Sequence, residues 1–75
     1  MNKERRKRVS VIKDELQSLI DQLDEVRSDE EYAFDSMPES LQGSIRGDES
    51  QEAIEAIDGA IDSLNEAIDS LDEII

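Results

Sequence analysis

Eight carboxylates crowd residues 52–73: Glu52, Glu55, Asp58, Asp62, Glu66, Asp69, Asp72 and Glu73. Paired carboxylates can divide acid and base roles when a cleft holds their pKa values apart, as in glycosidases and aspartic proteases. In this chain the acids recur at the outward positions of a helical repeat, where water solvates each one. Two helices offer no cleft to separate them. The chain has no His and no Cys. That excludes Glu-x-x-His di-iron pairs, thiolate zinc sites and cysteine or histidine nucleophile pairs. Neither an Asp-x-Asp-x-Asp-Gly calcium loop nor a Gly-rich phosphate loop is present. No catalytic residue, metal site or cofactor is expected, and the chain reads as a non-enzyme.

The acids have a second possible use. At about 1.5 Å per residue, they follow one another every 4 Å or so of helix axis, close to the roughly 3.4 Å between phosphates of one DNA strand. A rigid face of Glu55, Asp58, Asp62, Glu66 and Asp69 is then a candidate mimic of nucleic acid, fit to block a basic groove. The plainer account is a solvated face that keeps the protein soluble.

Charge is lopsided along the chain. Residues 1–13 hold six basic side chains against one acid, a net of +5; residues 14–75 hold two against 20, a net of −18; the chain totals −13. The cluster Arg5, Arg6, Lys7 and Arg8 is a candidate nucleic-acid contact. It lacks interleaved aromatics and any known reading module, which disfavours direct nucleic-acid binding. The expected alternative is pairing within the chain to Glu66, Asp69, Asp72 and Glu73.

The elements that position these groups are two long helices. Apolar residues at Val9, Ile12, Leu16, Leu19, Leu23 and Val26 step by three and four, with Val11 and Ile20 beside them. That is a heptad seam on a helix from about residue 3 to about residue 32. From residue 53 a heptad is written almost three times, giving a seam of Ile54, Ile57, Ile61, Leu64, Ile68, Leu71 and Ile75 on a helix over about 50–75. Ala53, Ala60, Ala67 and Ile74 flank it, so the buried face is wider than a two-stranded seam.

The connection, about 33–49, carries the only Pro and two of the three Gly. Ser36-Met37-Pro38-Glu39 has the form of a capping box opening a short helix, with Gly43 or Gly47 as its stop and Asp48 or Ser50 as N-cap of the next helix. Tyr32, Phe34, Met37 and Leu41 are candidate partner contacts at this tip; the plainer account makes them a cap over the bundle end.

The fold class is therefore all-α: one antiparallel helical hairpin over residues 1–75, expected to dimerise into a four-helix bundle. A core of this size supplies at most roughly 3–5 kcal/mol alone, and no disulfide or metal supplements it. No apolar run reaches the roughly 20 residues that span a bilayer, and no signal-peptide core follows the basic start. A cytoplasmic protein without membrane contact is expected.

The basic start Asn2-Lys3-Glu4-Arg5-Arg6, the helix end Asp29-Glu30-Glu31-Tyr32, the connection Met37-Pro38-Glu39-Ser40-Leu41-Gln42, Arg46 and the Ala-Ile heptads resemble small acidic proteins of Gram-positive bacteria, their phages and mobile elements. The Pro38-to-Gln42 connection is the most specific part. The resemblance implies no catalysis and no particular binding residue. It points to a phage-type accessory protein in the host cytoplasm that binds or inhibits a host protein, including one that acts in defence.

Overall fold

The computed structural model describes residues 1–75 throughout. It contains helices α1 (Lys3–Asp35), α2 (Glu39–Gln42) and α3 (Ile45–Asp72), and no strand. The molecule is a rod measuring 58 × 15 × 11 Å, in which α3 packs along α1 and α2 packs on α3.

Helix α1 opens at Asn2, whose side-chain oxygen accepts from the Arg5 amide at 2.8 Å. This side-chain cap satisfies a donor that the first turn would otherwise leave free. The helix runs three residues beyond the expected end and stops before Pro38. A proline at position 38 cannot donate to the Phe34 carbonyl and would collide with it in a continued helix. The Phe34 carbonyl instead accepts from the Met37 amide at 3.0 Å and from the Gln42 side-chain amide at 3.2 Å. Gln42 also donates to the Met37 carbonyl at 3.1 Å, so one side chain closes the end of α1 and the connection together.

Two expectations for the connection are corrected here. Ser36 caps the C-terminus of α1, and the residue preceding α2 is Pro38, with no side-chain cap; the capping box does not form. Gly43 does end α2, but Gly47 is no stop. Helix α3 starts at Ile45, ahead of Asp48 and Ser50, and passes through Gly47. A Cβ at Gly47 would lie 1.9 Å from the Gln42 backbone oxygen. The glycine is there because α2 and the first turn of α3 touch backbone to backbone, not because the helix ends.

The seam of α3 is the expected one as far as Leu71: Ile54, Ile57, Ile61, Leu64 and Leu71 are half-buried and Ile68 is buried, but α3 ends at Asp72 and Ile75, expected in the seam, is exposed. On α1 the phase differs. Ile12, Leu19 and Val26 are 50%, 50% and 53% exposed, whereas Ile20 is 3% exposed. The residues turned toward α3 are Val9, Lys13, Leu16, Ile20, Leu23, Arg27, Glu30 and Phe34, stepping by four and three. Val9, Leu16 and Leu23 belong to both phases, and the others decide between them. Lys13, Arg27 and Glu30 can enter the seam because each meets a partner on α3. Lys13 pairs with Asp72, Arg27 with Asp58, and the buried Ser50 hydroxyl donates to Glu30.

Candidate interaction surfaces

The two long-range ion pairs fix the register of the hairpin. Lys13 stands opposite Asp72 and Arg27 opposite Asp58, so residue numbers facing each other add to 85 in both places. Ile75 is then level with Ser10, and residues 3–9 of α1 extend past it. The expected pairing of the basic cluster with the acidic helix end does not occur. Arg5, Arg6, Lys7 and Arg8 are exposed and make no ion pair. The hairpin is one heptad out of the register that pairing required, and Lys13 alone reaches an acid there. The Lys13 ammonium holds its proton above the ordinary lysine range, chiefly because it donates a hydrogen bond to Asp72.

Arg27 is the hub of the polar flank. It donates to Asp58 through Nε, and through Nη2 at 3.3 Å, and to Glu31 through Nη1 at 2.8 Å. Its guanidinium is held even more firmly protonated than usual, first by the hydrogen bond to Asp58. Beside it lies an open groove of about 340 Å³, lined by Arg27, Glu31, Phe34, Asp35, Ile54 and Glu55 among others. No group of three carboxylates there or elsewhere converges as metal ligands.

Of the acidic face, Glu55, Asp62, Glu66 and Asp69 are exposed and unpaired, while Asp58 is half-buried and engaged by Arg27. The candidate tip divides likewise. Tyr32 is 75% exposed and Leu41 36%, but Phe34 and Met37 are half-buried. Ile45, the fifth apolar residue of the connection, is as exposed as Tyr32 at 75%.

Heptad position sorts the two flanks. In an antiparallel helix pair, the residues just after the d positions of both helices share one side, and those just before the a positions share the other. The first side holds Gln17, Asp24 and Glu31 on α1 with Gln51, Asp58, Asn65 and Asp72 on α3. Arg27 bridging Glu31 and Asp58, and the groove touching both Glu31 and Gln51, place these on one side. The second side holds Ile12, Leu19 and Val26 on α1 with Ala53, Ala60 and Ala67 on α3, and Ile74 follows in the turn after α3. One flank of the rod is charged and the other is apolar. The signal for this was present in the sequence as the flanking alanines and the spare α1 stripe, but a single helix phase could not assign both.

No helix is long and apolar enough to cross a membrane. No protein-family model, curated protein or solved structure matches the chain.

Proposed function

We propose that this chain is a non-enzymatic protein-interaction module that completes its core against other protein, a second copy first of all, in a four-helix bundle. One observation carries this reading: Ile20 and Ile68 are the only buried apolar side chains, while Ile12, Leu19 and Val26 stay half exposed on one flank. The tip and the charged flank remain free for a further partner. With the resemblance to phage and mobile-element proteins, this supports an accessory protein that binds or inhibits a host protein in the host cytoplasm.

A second reading, imitation of nucleic acid before a basic groove, is favoured by the exposure of Glu55, Asp62, Glu66 and Asp69 without ion-pair partners. A third, nucleic-acid binding through Arg5, Arg6, Lys7 and Arg8, is favoured by their standing clear of α3.

Capture of a host protein on the tagged chain, repeated with variants, separates them. A tip binder loses its partner on Tyr32→Ala with Leu41→Ala. A mimic loses it on Asp62→Lys with Asp69→Lys, and DNA displaces it. Direct retention of DNA, lost on Arg5, Arg6 and Arg8 to Ala, favours the third. Turnover of a small molecule by the pure chain would contradict all three.

A further inference from the structure

The apolar flank has a shape and a charge setting that specify its occupant. A compact protein of this mass exposes about 4,700 Å², and this chain exposes 5638 Å². The excess, roughly 900 Å², is close to the 800 Å² or so that each partner contributes to a standard interface. The flank offers a ridge of Ile12, Leu19 and Val26 on α1, its members seven residues apart, beside the small residues Ala60 and Ala67 of α3. By the register of the ion pairs, Leu19 is level with Glu66, one residue from Ala67. The α1 ridge is centred on Leu19, so a two-fold axis at that height sets it against the same ridge of a second copy and brings Ala67 close to its counterpart. An interface between identical chains requires that self-complementarity.

Two such dimers are possible, and charge chooses between them. With the tips at the same end, the two overhangs of Lys3, Arg5, Arg6, Lys7 and Arg8 would lie together. The two acidic tips would lie together as well. With the tips at opposite ends, α1 packs on α1 and each overhang lies beside the tip of the other copy. Leu19 then meets Leu19 of the second copy, Ile12 meets its Val26, and the overhang runs past its Asp29, Glu30, Glu31 and Asp35. The unpaired basic end and the acidic tip are the two halves of one contact.

We infer that a second copy of this chain covers the apolar flank in the opposite sense, with Leu19 and Ala67 at the two-fold axis and each basic overhang on the other copy's acidic tip. This rests on the reading of the chain as a self-completing interaction module. It deepens that reading by naming the face and the direction.

The chain has no Cys, so single-cysteine variants report proximity without background. A disulfide needs Cα atoms within about 7 Å. In this arrangement L19C and A67C each form a disulfide-linked dimer on mild oxidation, and Q17C, on the charged flank, does not. Circular dichroism checks that each variant keeps the parent's helix content, and A67C keeps the test informative should L19C fold poorly. A wild-type dimer in sedimentation with links at L19C and A67C is the expected result. A dimer that links at Q17C, or at none of the three, overturns the arrangement but not self-association. A single-chain mass with full helicity overturns both.

Discussion

Two glycines inside α3 behave oppositely, and the difference is steric. Gly47 lies against the Gln42 backbone, whereas nothing comes within 4 Å of a Cβ built on Gly59. Gly47→Ala must push apart two backbones and is expected to cost about 1–3 kcal/mol. Gly59→Ala relieves only the helix penalty of glycine and is expected to add about 0.5–1 kcal/mol. Urea unfolding of the two variants checks the opposite signs. Sequence alone cannot tell these residues apart, because only the fold brings Gln42 to one of them. Lys13 gives a second prediction. Its pKa is raised in the folded chain, so its pairing with Asp72 stabilises fully below the ordinary lysine range and is lost as pH rises through the raised value. Lys13→Met is expected to flatten the decline in stability above about pH 10, and an unchanged decline would remove the pair from the account.

Among the elements, α3 was the most legible and the connection the least. From Ile54 to Leu71 the Ile and Leu of α3 sit at one unambiguous heptad phase, so that stretch of the seam is legible directly. On α1, Val9, Leu16 and Leu23 are compatible with two phases, one of them wholly apolar. The other is turned toward α3 because Lys13, Arg27 and Glu30 have polar partners across the seam, a long-range fact that no window on α1 contains. The connection misled for a related reason. Ser36 and Glu39 have cap spacing, yet Ser36 belongs to the end of α1, and Gln42 does the joining. Gln42→Ala leaves the Phe34 carbonyl with one donor fewer and is expected to cost about 1 kcal/mol. Hydrogen exchange should quicken in the connection and at the start of α3 while the middle of α1 is unaffected.

At the scale of the molecule, the rod buries only two apolar side chains, Ile20 and Ile68. Its radius of gyration is 17.2 Å, against about 11 Å for a compact chain of this length. The alternative α1 stripe read from the sequence is therefore not idle: one phase faces α3 and the other faces outward along the apolar flank. Substitutions in the two phases should separate accordingly. Ile20→Ala, at the buried position, is expected to destabilise the hairpin by about 2–4 kcal/mol. Leu19→Ala, at the half-exposed position, should act mainly on association and raise the concentration at which the helices form. The account's central claim, that other protein completes this fold, is tested most directly by following helix content and molecular mass together down a dilution series of the pure chain. Twice the 8.5 kDa chain mass at high concentration, with helix signal and mass falling together on dilution, is the predicted result. A fully helical single chain at every concentration would contradict it.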